Sequence, residues 1–211
     1  MIEIVSATQM TVQHLRDLII TGELKPGQTI NEAVLANSIG LSRPPVREAL
    51  RILEAESLVV NIPRKYTRVS DASFRDFEKV FQTKEMIECY VLDLLKKKEV
   101  SDFSSLHTAL ADSMDCRIEK DEDPRKVLGC LKTLADFHIR LVALAGNSHL
   151  LKLYRSILGN VCRYQFLYFS RTVAQPPVES HCRIAENIKS GDFDQAKKIL
   201  SLPRFHYVLP S

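Results

Sequence analysis

Apolar residues recur every three or four positions along most of this chain, the spacing of helices packed on one side. The first such stretch runs from about Thr8 to Thr21, with Val12, Leu15, Leu18 and Ile19 on one face and Gly22 as a stop. Leu24-Lys25-Pro26-Gly27 reads as a turn. A second, short helix fits Asn31 to Ile39, with Asn31 as its N-cap and Gly40 as the left-handed residue that ends it. A third begins after Ser42 as cap, opens through Arg43-Pro44-Pro45, and carries Val46, Leu50, Ile52 and Leu53 to about Glu56. Two helices joined across a glycine corner predict a helix-turn-helix. The period then shortens: Leu58 to Ile62 and Tyr66 to Ser70 flank Pro63-Arg64-Lys65, which predicts a hairpin with a basic tip.

From Ser73 onward the helical period is almost unbroken. It predicts helices near 73–98, 102–119, 124–145, 148–172, 177–190 and 193–202, with Asp123 before Pro124 as a cap and Gly146 and Gly191 as stops. The predicted fold class is mainly α: an N-terminal winged helix-turn-helix over 1–71 and an all-α helical bundle over 72–211.

Composition narrows the function classes. With 45% hydrophobic and 26% charged residues the chain has the makings of a core, and disorder is excluded. The net charge of +3 is too small to indicate nucleic acid or an anionic membrane by itself. Five cysteines without a CxxC pair suit a reducing compartment and read as core fillers. The first ten residues lack a basic and then apolar leader, and no apolar run reaches the ~18 residues of a membrane span, so a soluble, cytoplasmic protein is expected.

Charge is concentrated locally. Residues 42–70 hold six basic side chains (Arg43, Arg47, Arg51, Arg64, Lys65 and Arg68) against three acidic ones (Glu48, Glu54 and Glu56). Arg43 and Arg47 lie one turn apart, and a guanidinium gives a bidentate pair to guanine O6 and N7 in the major groove. Ser42 and the helix N-terminal amides suit a backbone phosphate. Arg64 and Lys65 at the hairpin tip suit the minor groove or phosphates. The competing reading is a solvated helix face in which these arginines pair with Glu48 and Glu54.

Gly22-Glu23-Leu24-Lys25-Pro26-Gly27, Asn31-Glu32 through Leu35-Ala36, and Ile39-Gly40-Leu41-Ser42-Arg43-Pro44-Pro45-Val46-Arg47-Glu48-Ala49-Leu50 with Leu53-Glu54 resemble the N-terminal domain of GntR-type bacterial transcription regulators. The helical remainder is similar to the FadR-like branch, whose C-terminal FCD domain binds effectors and dimerises. The resemblance implies a homodimer, more often a repressor than an activator, that binds a palindromic double-stranded operator and responds to a small metabolite, an organic acid by family analogy. By motif position it implies the base- and phosphate-contacting roles for Arg43 and Arg47, and the full set of expected DNA contacts is Ser42, Arg43, Pro45, Arg47, Arg51, Arg64 and Lys65. Two positions depart from the family pattern. Ala33 stands where the second helix often carries an arginine, and Arg64-Lys65-Tyr66 where the wing tip usually carries glycine.

In the helical domain the resemblance singles out Lys84, His138 and His181 as effector-binding candidates, and Arg163, on an otherwise apolar helix with Tyr164, Phe166 and Tyr168, is another. His138 and His181 match two family histidines that hold a divalent metal such as zinc or nickel in some members. The acidic position one turn before His138 is Leu134, because Asp136 points off that face, and the last histidine position is Pro203, with His206 displaced. Two imidazoles fall short of the three or four ligands of such a site, so a metal-free pocket is the expectation. Each candidate has a plainer reading: core histidines for His138 and His181, a surface Lys84 paired with Glu88 at i+4, and a snorkelling Arg163. The aromatics from Tyr164 to Phe169 read as buried on several sides, and Lys96-Lys97-Lys98 and Asp121-Glu122-Asp123 as solvated helix ends. A metal- or acid-dependent enzyme is the rival class, but no nucleophile–base arrangement, phosphate loop or carboxylate pair supports it. A winged helix that binds only proteins is the other, and Arg43 and Arg47 argue against it.

Overall fold

The computed structural model describes residues 6–119, 122–169 and 178–201, without the side chains of 168 and 169. The chain divides into two units, Met1–Ser73 and Phe74–Ser211.

In the first unit, α1 (Ala7–Thr21) starts in a capping box between Ser6 and Gln9 and ends at left-handed Gly22. A short strand β1 (Thr29–Ile30), which the sequence pattern does not predict, leads into α2 (Glu32–Ser38), and the Asn31 side chain caps Ala33 and Val34. Gly40, at φ +66°, turns the chain into α3 (Arg43–Ala55). Strands β2 (Val59–Ile62) and β3 (Tyr66–Val69) form the wing, and β1 joins as its third strand in the antiparallel order β1-β3-β2. Thr67 faces Ile30 across one ladder and Asn61 across the other. Leu15, Ile19, Val46, Ala49, Leu53, Leu58 and Val69 pack into the core. Truncating Leu53, fully buried, to alanine costs about 2–5 kcal/mol. Arg16 clamps α1 to the end of α3 through a forked pair with Glu56, 2.7 Å at its shortest.

The second unit is built from α4 (Phe74–Lys97), α5 (Ser104–Ser113), α6 (Pro124–Ala143), α7 (Ser148–Phe169), α8 (Val178–Lys189) and α9 (Phe193–Ser201). Helix α4 packs on α6, α7 and α9, while α5 packs on α6 and α8. Their apolar faces close over Val91, Leu92, Leu95, Phe137, Leu141, Ile184 and Ile199. Helix α5 is shorter than the pattern predicts. The Ser113 hydroxyl turns back to the Leu110 carbonyl, and the chain bends so that Ile118 is buried and the Cys116 thiol meets the Cys130 carbonyl at 3.7 Å. The apolar positions after 113 therefore serve a loop. Lys98 is also more than a solvated end, since it donates to the Ala145 carbonyl past the end of α6. Asp121, Pro203, His206 and the expected helical residues 170–172, 177 and 202 fall outside the described residues.

Candidate nucleic-acid interface and effector site

Helix α3 is amphipathic in the sense a reading helix requires. Val46, Ala49, Leu50 and Leu53 are buried, and Arg43, Arg47 and Arg51 form an exposed row one turn apart. Arg43, Arg64 and Lys65 make no ion pair with any described residue. Arg47 is held instead by α2: its Nε and Nη2 both donate to Glu32 Oε2 at 3.1 Å. Arg51 approaches Glu48 at 3.6 Å, so only that arginine pairs within the helix face as the solvated-face reading expects. Pro45 is half-buried beside the row.

Two details correct the sequence reading. Ser42 occupies the N-cap position but makes no side-chain cap hydrogen bond, so Pro44 and Pro45 and the helix geometry, rather than the hydroxyl, start α3. At the wing tip, Lys65 N–H closes a turn on the Ile62 carbonyl at 3.0 Å, and Arg64 sits at φ +62°. Proline second and a left-handed residue third is the order of a type II turn, here with arginine where glycine is usual. The conformation expected of glycine is thus kept without the glycine. Arg68 does not join the tip, because Asp71 holds it at 3.0 Å.

The second unit contains a buried polar cluster fed by four helices. Lys84 and Glu88 are one turn apart on α4, and Lys84 Nζ lies 2.7 and 2.8 Å from the two Glu88 oxygens. His138 of α6 places Nδ1 2.9 Å from Glu88 Oε1, and Tyr154 of α7 donates its hydroxyl to the same oxygen. His138 Nε2 meets His181 Nε2 of α8 at 3.0 Å, and Phe137 stacks on the His181 ring. Burial by itself would raise the Glu88 pKa. The charge of His138 when it is protonated, the positive charge of Lys84 and the hydrogen bonds from both outweigh it and hold the carboxyl well below the usual range. Burial and the Glu88 charge push Tyr154 well up, so it stays a donor.

The family profile described as "Bacterial regulatory proteins, gntR family" matches residues 7–69, and the FCD domain profile matches residues 79–202. The chain belongs to the gntR family. It is 27% identical over 187 residues to the uncharacterized HTH-type transcriptional regulator YdhC of Bacillus subtilis, covering 87% of this chain and 81% of that protein. It is 27% identical over 161 residues to the HTH-type transcriptional repressor GlaR of Escherichia coli, covering 75% and 72%. Its fold resembles that of a solved putative GntR regulator from Rhodococcus sp. RHA1, with a TM-score of 0.69 and 22% identity over 92% of this chain and 91% of that one. It also resembles E. coli McbR/YncC, with a TM-score of 0.72 and 19% identity over 93% and 92%. This gntR-family chain is therefore a DNA-binding transcriptional regulator with a helical FCD domain.

In the FCD domain, three of the four effector candidates come together. Lys84, His138 and His181 line one small cavity with Leu134, Ala135, Leu158, Val161 and Gln165. Arg163 is not in that lining. It is buried at 2% exposure, which also rules out the snorkelling reading. Lys84 lines the cavity, is buried and is paired with Glu88, so the i+4 ion pair is present and the surface placement is wrong. Glu88 and Tyr154 were missed as members of the cluster. The i,i+4 spacing of Lys84 and Glu88 was the available signal, whereas nothing local marks Tyr154. Leu134 lines the cavity where a ligand carboxylate would be needed for a metal, and Asp136 instead holds Arg140 at 2.6 Å. Tyr164 and Phe166 are buried, as the aromatic stretch implies. Among the described residues no helix is long and apolar enough to cross a membrane.

Proposed function

We propose that the chain is a repressor that binds a palindromic operator as a homodimer, reading bases with Arg43 and Arg47. Ser42, Pro45 and Arg51 flank the reading edge, and Arg64 and Lys65 reach the adjacent backbone or minor groove. The observation that carries this reading is the exposed row Arg43–Arg47–Arg51, whose backbone is fixed by the buried opposite face of α3. Rigid presentation of a guanidinium is what bidentate base readout needs. Two such helices related by a twofold axis match two half-sites.

The effector in this reading is a small organic acid bound beside Lys84, His138 and His181. The cavity there holds about 10 Å³, room for about one water molecule, so a metabolite enters by parting the walls formed by Leu134, Leu158 and Val161. Lys84 supplies charge but not a guanidinium fork, so selectivity rests on the histidines and Gln165. The site is read as metal-free, although a zinc- or nickel-like ion would take His138 and His181 as its first two ligands. Three features support the metal-free reading: the two Nε2 atoms are directed at each other, the Lys84 ammonium is in the same cluster, and Leu134 occupies the acidic position. A cytoplasmic location follows from the same function.

Selection of bound duplexes from random DNA tests the proposal. A palindromic consensus, and a loss of about 1–3 kcal/mol of specific binding in Arg47→Ala with oligomeric state unchanged, are the expected results. Equal binding of all duplexes by the purified chain overturns it. For the effector arm, His138→Ala with His181→Ala abolishes the response to organic acids that raise the melting temperature of the parent chain, while operator affinity stays intact.

A further inference from the structure

The pair between Glu32 and Arg47 ties the start of α2 to the exposed row of α3. Arg47 is 58% exposed and Glu32 33%, and ion pairs this open to water add little to stability. Its geometry is nevertheless specific. A guanidinium has five N–H donors in a planar fork. Glu32 Oε2 takes the Nε–H and one Nη2–H. The Nη1 hydrogens and the second Nη2–H remain, and these form the end-on edge that matches guanine O6 and N7. The carboxylate thus leaves the base-reading edge open while fixing the plane and roll of the group.

Glu32 is itself well anchored. It is the first residue of α2, directly after the capping Asn31, and β1 immediately before it is paired with wing strand β3. The carboxylate therefore carries the wing sheet's position to the side chain of Arg47. It also places a negative charge beside Arg47, which opposes engagement of that guanidinium by a phosphate. A phosphate contact carries no sequence information, whereas a base-edge contact does.

We infer that Glu32 is a specificity-determining positioning residue, buttressing Arg47 for base readout and penalising its capture by phosphate. The inference rests on the base-reading role given to Arg47 above. On this account Glu32→Gln, which keeps size and removes charge, weakens binding to the selected operator and strengthens binding to a scrambled duplex of equal length.

The test uses the full chain, the duplex recovered by selection with that chain, and the scrambled duplex, at fixed salt. Glu32→Gln is expected to lower the ratio of operator to scrambled affinity about tenfold, within the span of one good bidentate contact. Glu32→Asp is expected to restore part of the ratio. The relaxed base position should be the one relaxed by Arg47→Ala, and Glu32→Gln should have no further effect in the Arg47→Ala background. An unchanged ratio in Glu32→Gln, where Arg47→Ala does reduce it, overturns the buttress and leaves the Arg47 reading standing. If Arg47→Ala itself leaves the ratio unchanged, both fall. Equal losses on operator and scrambled duplex, accompanied by a lower melting temperature, identify Glu32 as a merely structural link between α2 and α3.

Discussion

His138 and His181 meet through their Nε2 atoms at 3.0 Å, one ring edge-on to the other. A carboxylate only accepts, so the 2.9 Å contact between Glu88 and His138 Nδ1 requires the proton on Nδ1. In the neutral pair His138 Nε2 is then the acceptor and His181 Nε2 the donor. Nitrogen-15 spectra of the histidine rings should therefore show the Nδ1–H tautomer for His138 and the Nε2–H tautomer for His181. The reverse pattern would mean that Glu88 does not orient the pair.

The Glu88 carboxylate neutralises the Lys84 ammonium within a buried cluster. Removing one member of such a pair leaves the other's desolvation uncompensated, so Glu88→Gln should destabilise the chain by about 3–5 kcal/mol in urea unfolding. Tyr154→Phe deletes a single hydroxyl donated to a charged acceptor and should cost about 1.5–3 kcal/mol. A smaller effect for Glu88→Gln than for Tyr154→Phe would contradict the arrangement.

Acid should erode the same cluster. Glu88 titrates in the folded chain below its ordinary value of 4.5, so near and below that pH the unfolded chain binds more protons. The stabilisation is complete above about pH 4.5 and disappears as the pH falls toward the lower folded-state value. Unfolding midpoints measured from pH 7 down to pH 3 should fall more steeply for the parent than for Glu88→Gln, and the gap between them should narrow in acid.

Cys116 is predicted to be a sluggish thiol. Burial first, and then the neighbouring Cys130, push its pKa up to about 12. Only the thiolate reacts. Alkylation of Cys116, followed by peptide mass spectrometry, should be slow at pH 8 and rise about tenfold per pH unit up to pH 10. Rapid labelling at neutral pH would show that the loop after α5 opens readily.

At the wing, replacing Lys65 with alanine should weaken binding to all duplexes similarly and reduce the salt slope by about one, as loss of a phosphate contact does. A change confined to one base position would instead place Lys65 at a base edge.

The helix-turn-helix was legible because each of its signals is local: the Asn31 cap, the Gly40 corner, the Pro44-Pro45 entry and the buried series on α3. Strand β1 was not, since two residues carry no period and are extended only because Thr67 and Arg68 on β3 pair with them. The end of α5 was missed for a related reason: Ile118 continues an apolar spacing but reaches the core from a loop. In the buried cluster the histidines and Lys84 were found, whereas Tyr154, brought in from 66 residues along the chain, joins through tertiary packing alone. The partner of Arg47 was sought in Glu48 and Glu54 within its own helix, and the fold supplied Glu32 from another.

Arg64 combines a backbone state that suits a residue without a β-carbon with a charge that requires a long side chain. Mutational tolerance at this position is consequently far narrower than its exposure suggests. Glycine relaxes the turn by roughly 1 kcal/mol but discards the cation, lysine retains both the strain and the charge, and valine or isoleucine fails on conformation before charge is considered.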